Sequence, residues 1–214
     1  LRARERDGTV AVSFYEDRVL PHLIRCACGT KQARKQREKI VHRAYGDVLE
    51  IGFGGGLNLP YYDRRQVRRV FGLEPSAAMR RSAAALIDAS GIDVELIDLP
   101  GEEIPLDNNS VDSILVTYTL CTIPDVAAAL DGMRRALKPG GQLFFCEHGK
   151  APDPGVHRWQ QRVNPAWRIF SGGCNMDRDI PSLLRAGGFT IEEDNRMYLP
   201  GVRALSYNFW GAAR

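Results

Sequence analysis

Asp47-Val48-Leu49-Glu50-Ile51-Gly52-Phe53-Gly54-Gly55-Gly56-Leu57-Asn58 is the stretch whose reading decides the fold. Val48, Leu49 and Ile51 form a short apolar run that reads as a buried strand. Glu50 stands near its end, before a turn too rich in glycine to continue as strand or helix. Gly52, Gly54 and Gly56 carry no Cβ, so the backbone can take positive φ and approach a ligand closely. Such a strand-turn unit brings a nucleotide-like ligand to the carboxyl edge of a parallel sheet.

Spacing narrows the ligand. A dinucleotide fingerprint, G-x-G-x-x-G, would need its third glycine at position 57, which is Leu. The pattern present is E-x-G-x-G-x-G, and it resembles motif I of the class I S-adenosylmethionine (SAM)-dependent methyltransferases. A nicotinamide dehydrogenase is disfavoured by the same Leu57.

The flanks read as alternating strands and helices. Val67–Leu73 is an apolar run closed by Glu74-Pro75. Glu74 lies about twenty residues after the glycine turn, where a carboxylate can accept two ribose hydroxyl protons. A helix is expected over Ser76–Ala89, stopped by Gly91. Further strands are expected at Val94–Ile97, Ser113–Val116 and Gln142–Cys146, with a helix over Asp125–Leu137 closed by Lys138-Pro139-Gly140-Gly141. A helix is also expected to open at Leu57–Tyr62. Arg178–Ala186 reads as a helix, Phe189–Asp194 as a sixth strand and Leu205–Gly211 as a final antiparallel strand. The expected class is therefore α/β: a Rossmann-like seven-stranded sheet, mostly parallel with its last strand antiparallel, and helices on both faces.

Ahead of the sheet, residues 9–24 carry apolar side chains at helical spacing, interrupted by Pro21. Residues 31–44 look like a strongly basic helix. Two readings stand for it: a solvated face anchored by Ile40 and Val41, or, over residues 31–43, peripheral contact with anionic lipid. Ala151–Asn175 has no clear period and reads as an irregular insertion over the carboxyl edge. One domain over residues 1–214 is expected, comprising an N-terminal cap (1–45), a core (46–150), a lid (151–176) and a C-terminal segment (177–214).

Composition agrees. Of the 214 residues, 26% are charged and 44% apolar, and the net charge of +3 does not argue for nucleic acid. No run of eighteen apolar residues exists, so no transmembrane helix is expected. Leu1–Gly8 is charged, without the apolar centre of a signal peptide, and the expected location is cytoplasmic. Five scattered cysteines suggest a reducing compartment. Cys26 and Cys28 form C-x-C with no second ligand pair at zinc-like spacing, so no metal is expected.

The elements from Val48 onward resemble a class I methyltransferase throughout. "LCTIPD" (120–125), "CEHG" (146–149) and "WQQRVNPAWRIFSGGCN" (159–175) are similar to tracts of the animal methyltransferase-like alkyl thiol methyltransferases and their bacterial type 11 relatives. The resemblance implies SAM as cofactor, S-adenosylhomocysteine as product and a small-molecule methyl acceptor, with a thiol favoured. Quinol and phospholipid acceptors, and a non-catalytic SAM-binding module, are the alternatives. It implies Glu50 with Gly52, Gly54 and Gly56 at the amino-acid end of SAM, and Glu74 at the ribose. Gly101 and Glu102 fall near the adenine; Asn58, Pro75 and Met79 line the same cradle. The family's usual acid near position 100 is replaced by Pro100. Thr117, Leu120 and Cys121 fall near the methyl group, and Tyr15, Tyr118, Trp159, Asn164, Trp167 and Cys174 toward the acceptor. For the strand-end hydroxyls and the lid aromatics, a purely local structural role competes with ligand contact. A thiol needs little more than stabilisation of its thiolate; an alcohol or amine needs a base, for which His148 is the candidate alongside Cys121.

Overall fold

The computed structural model describes residues 28–214. The helix expected over residues 9–24, and Tyr15 with it, lie outside the described residues. Helix α1 (Lys31–Ile40) starts at Thr30, whose hydroxyl accepts the Ala33 N–H at 3.3 Å, and buries Ala33, Gln36, Arg37 and Ile40. Its apolar and polar buried residues fall at helical spacing, leaving Lys31, Arg34 and Lys35 exposed.

The strands follow as β1 (Gly46–Ile51), β2 (Val67–Leu73), β3 (Asp93–Ile97), β4 (Val111–Thr117), β5 (Leu137–His148), β6 (Ile191–Tyr198) and β7 (Tyr207–Ala213). They form one sheet in the order β3-β2-β1-β4-β5-β7-β6. All neighbours through β5 are parallel, and β7 runs antiparallel to both β5 and β6. The chain order reverses between β1 and β4, the position where open α/β sheets hold ligands beyond their carboxyl ends.

Side-chain alternation divides the interior between the two faces of the sheet. Leu49, Ile51, Ile114, Val116, Leu143 and Phe145 pack on one face with helices α3 (Val126–Ala136) and α5 (Ile180–Ala186). Val48, Val70, Leu115, Phe144 and Cys146 pack on the other, with Ile40 of α1 and Ala83 of α2 (Ala77–Ser90). Helix α2 is capped by the Ser76 hydroxyl and stopped by Gly91 at φ +64°.

Four expectations are corrected. The helix expected from Leu57 reduces to a single 3-10 turn, Leu59–Tyr61; Pro60 has no N–H to extend it, and Tyr62 turns extended. Lys138–Gly141 does not separate helix from strand. Strand β5 begins at Leu137 and absorbs those residues in a register break opposite Val111 and Ser113. The last two strands start two residues later than expected: Gly188 at φ +83° and the Phe189 N–H bond to Leu184 prolong the stop after α5, and a helical turn at Arg203–Ser206 takes the first residues expected of β7. The largest difference is the lid, where Pro154–Phe170 forms a seventeen-residue helix, α4. Pro165 sits on its exposed face, so the carbonyl that loses its donor is left to water.

Phe144 is 1% exposed. Phe144→Ala should cost about 3–5 kcal/mol in urea unfolding, while Arg65→Ala, at an exposed pair with Asp63, should stay within about 0.5 kcal/mol.

Candidate functional site

The three glycines after β1 are all left-handed, with φ +70° at Gly52, +59° at Gly54 and +75° at Gly56. Their tasks differ. A Cβ at Gly52 would stand 2.3 Å from the Thr119 hydroxyl, so this glycine lets the turn pass under the end of β4. A Cβ at Gly54 would meet nothing closer than Met79 Cε at 3.4 Å. Gly54 is therefore required by its backbone conformation and by the open space it leaves, and packing places no demand on it.

Glu50 is 1% exposed, at the base of this turn. Its carboxylate accepts the Tyr62 hydroxyl at 2.6 Å and the Asn58 amide at 2.8 Å. The same Asn58 Nδ2 donates to the Thr117 hydroxyl at 2.8 Å, which ties β1, the glycine turn and β4 together. Burial drives the Glu50 carboxyl up to about 7, and the hydrogen bonds from Tyr62 and Asn58 oppose it only in part. Asn58 Oδ1 is buried and has no hydrogen-bond partner among the described residues. An orphaned acceptor costs free energy unless a donor arrives, and the ammonium of an amino acid is such a donor.

At the end of β2, Glu74 accepts the Gly54 N–H at 2.9 Å on one oxygen and the Ser76 N–H at 2.9 Å on the other. Each oxygen keeps a second lone pair, so the carboxylate is aimed without being used up. Pro75 leads into α2 and is exposed, while Met79 is buried against the glycine turn. Across the cleft, Gly101 lies against Ile51 and Ile123; a Cβ there would be 3.0 Å from each. Glu102 accepts the Asp125 N–H at 3.2 Å and so steadies the start of α3. Glycine cradle, two aimed carboxylates and an orphaned acceptor fit SAM.

The acceptor side is built from the ends of β4 and β5. Tyr118 holds φ +56°, unusual for a residue with a Cβ, and turns the chain into Thr119, Leu120 and Cys121. Its hydroxyl donates to Asn208 at 2.8 Å. Glu147 on β5 is fully buried and accepts the Thr119 and Leu120 N–H groups at 2.6 and 3.0 Å on a single oxygen. Its other oxygen has no hydrogen-bond partner among the described residues. Burial pushes this carboxyl up to about 7, against the two N–H bonds.

Beside it, His148 Nε2 stands 3.0 Å from Cys174 Sγ. Cys121, His148 and Cys174 each present a ligand atom within 4.8 Å of the others. A hydrogen bond from the Cys121 thiol, supported against burial by His148, holds the Cys174 thiol below its usual range. Burial alone would lower His148, but the Cys174 sulfur outweighs it and raises the imidazole.

Helix α4 is fastened over this edge by amides one turn apart. Gln160 is fully buried, accepts the Ala151 N–H at 2.9 Å and donates to the Met176 and Ala204 carbonyls at 2.8 Å. Asn164 accepts the Met176 N–H at 3.0 Å and donates to Asp177 at 2.8 Å, so the amide expected toward the acceptor is engaged in holding the lid. Asn175 donates to the Cys121 carbonyl at 2.9 Å, which brings Cys174 to Cys121. Trp167 is half-buried near Cys174, and Trp159 is 47% exposed.

Sequence reasoning missed Tyr62, Arg37, Glu147 and Gln160. Arg37 is 3% exposed inside a helix that reads as a basic surface. Its guanidinium lies 5.2 Å over the Tyr118 ring and donates to the Cys28 carbonyl at 2.5 Å. A clue was present in the helical spacing of Ala33, Gln36, Arg37 and Ile40, which puts Arg37 on the buried stripe.

Fold and cradle together resemble those of SAM-dependent methyltransferase domains. Residues 49–145 match a family model described as "Methyltransferase domain". The human thiol S-methyltransferase TMT1B is 31% identical over 136 residues, 62% of this chain and 55% of that protein. The demethylmenaquinone methyltransferase of Clavibacter sepedonicus is 32% identical over 130 residues, 52% of this chain and 53% of that one. The chain thus spans little more than half the length of these curated relatives. A solved SAM-dependent methyltransferase from Leishmania major has the same fold, with a TM-score of 0.68 at 17% identity over 95% of this chain and 82% of that one.

The raised Glu50 carboxyl fixes a pH dependence. The folded state holds this proton more tightly than the unfolded chain, so the contribution to stability is complete below the ordinary carboxylate range. It is lost as pH rises through about 7. Without cofactor, the melting temperature should fall by roughly 5 °C between pH 5 and 8 on account of Glu50 alone, and Glu50→Gln should remove that part of the slope, leaving the part due to Glu147.

Proposed function

We propose that this protein transfers the methyl group of SAM to a small or lipophilic thiol. The observation that carries the acceptor class is the meeting of Cys121, His148 and Cys174 beside the Tyr118–Cys121 turn. These soft groups suit a sulfur nucleophile, and the similarity to thiol S-methyltransferase TMT1B supports the same choice.

A sulfonium supplies an already activated methyl group. The chain then has two tasks, orientation and exclusion of water. Glu50 and Asn58 would take the ammonium end, Glu74 the ribose hydroxyls, and the Gly101–Glu102 segment the adenine. The Thr117–Cys121 turn would then face the methyl group. The demethylmenaquinone methyltransferase relative supports a second reading, a quinol-type acceptor.

Methyl transfer from labelled SAM to a panel of thiols, phenols, quinols and phosphatidylethanolamine tests both. Thiol products are expected; product from quinols alone would replace the first reading by the second, and none from any acceptor despite tight SAM binding would leave a binding module. Gly54→Val should weaken SAM binding at least tenfold in a folded protein, since a β-branched residue resists φ +59°. SAM affinity should rise as pH passes through about 7, where Glu50 ionises to pair with the ammonium, by up to about tenfold per unit below that point. A calorimetric Kd that is flat from pH 6 to 8 would remove Glu50 from the ammonium site.

A further inference from the structure

Cys121, His148 and Cys174 come from three separate tracts: the turn after β4, the end of β5 and the segment after the lid helix. Their ligand atoms lie within 4.8 Å of one another, and the closest pair, His148 Nε2 and Cys174 Sγ, is 3.0 Å apart. In a tetrahedral zinc site, bond lengths of about 2.3 Å to sulfur and 2.0 Å to nitrogen put S···S near ~3.8 Å and S···N near ~3.5 Å. No pair of donors therefore has to shift by more than about 1.3 Å to reach that geometry.

A second observation is independent of the three donors. Glu147 adjoins His148, is fully buried, and leaves its Oε2 without a hydrogen-bond partner among the described residues. A buried carboxylate beside two thiols makes a field that favours a cation. The nearby Arg178 guanidinium is occupied by the Leu120 and Ile123 carbonyls.

We propose that Cys121, His148 and Cys174 form a Cys2His site for a zinc-class divalent cation, with a fourth coordination position open to the acceptor thiol. Three protein ligands and one exchangeable position are the arrangement of catalytic zinc. The three-ligand site stands on its own geometry, while the use of its fourth position rests on the thiol reading given above. There, the acceptor thiol loses its proton to solvent as its sulfur binds the metal. A sulfur lone pair then forms the new S–CH3 bond while the sulfonium C–S bond breaks, its electron pair passing to the sulfur of S-adenosylhomocysteine. The neutral thioether is a weaker ligand than the thiolate and leaves.

Cobalt(II) titration of the metal-stripped protein, kept reduced with a phosphine, tests the site. One equivalent should bind with sulfur-to-cobalt charge-transfer bands and tetrahedral d–d bands, and zinc should displace it. Cys121→Ser and Cys174→Ser should each weaken binding at least tenfold, while Cys146→Ser, outside the cluster, leaves it unchanged; circular dichroism checks each fold. X-ray absorption on the unsubstituted protein gives the answer if those variants do not fold: two sulfurs and one nitrogen are expected, and a shell of oxygen and nitrogen alone, or no binding, overturns the site. Adding an alkyl thiol should bring a third sulfur into that shell. Metal binding without methyl transfer to any thiol would overturn the thiol reading and leave the site standing. Transfer to thiols with the shell unchanged would overturn the open position.

Discussion

Burial of Glu50 is the constraint on which the cofactor half of the molecule depends. A carboxylate taken out of water costs several kcal/mol unless hydrogen bonds and a counter-charge compensate. Tyr62 and Asn58 supply two bonds, and the Asn58 amide passes the link on to Thr117 of β4. The strand, the glycine turn and the neighbouring strand are thereby locked at the point where the sheet order reverses. The compensation remains incomplete while Asn58 Oδ1 is orphaned. A ligand carrying a cationic donor completes it, so the strain held at the turn favours that ligand.

Glu147 repeats the device one strand away. Its carboxylate gathers two successive N–H groups beyond β4, and this holds Tyr118 in a conformation it would not adopt alone. Gly52 is the hinge between the two carboxylates, since a side chain there would displace Thr119. Cofactor and acceptor edges are consequently not independent. A shift in the glycine turn must move the turn that carries Cys121.

What was legible in the sequence follows the physics of each signal. Strands β2 and β4 and helix α2 were placed to within two residues because apolar runs and the Gly91 stop are local signals. Glu50, the glycines and Glu74 were legible because a short spacing forces them to one edge. Tyr62 and Glu147 were not, because their partners are chosen by the fold. The lid was misread for another reason. Its helix buries Gln160 and Asn164 in place of apolar residues, so its buried stripe does not read as a core stripe, and Pro165 reads as a break although it lies on the exposed face. The convergence of Cys121, His148 and Cys174 was not legible either. A ligand count seeks cysteines in close pairs, whereas these donors come from three distant tracts.

The lid's polar fastening bears on specificity. Apolar packing would tolerate sliding of α4 across the edge, since dispersion has little directionality. Gln160 and Asn164 instead fix both height and register: their amides bond backbone on both sides of the acceptor edge, at Gly149 and Ala151 and at Met176. Asn175 then fixes Cys174 to the Cys121 carbonyl. The face that α4 turns outward, with Trp159 and Ile169 exposed, takes no part in these amide bonds. Side chains on that outward face can therefore change without disturbing the Cys121–His148–Cys174 cluster. Replacing either amide would let the lid and the cluster move together.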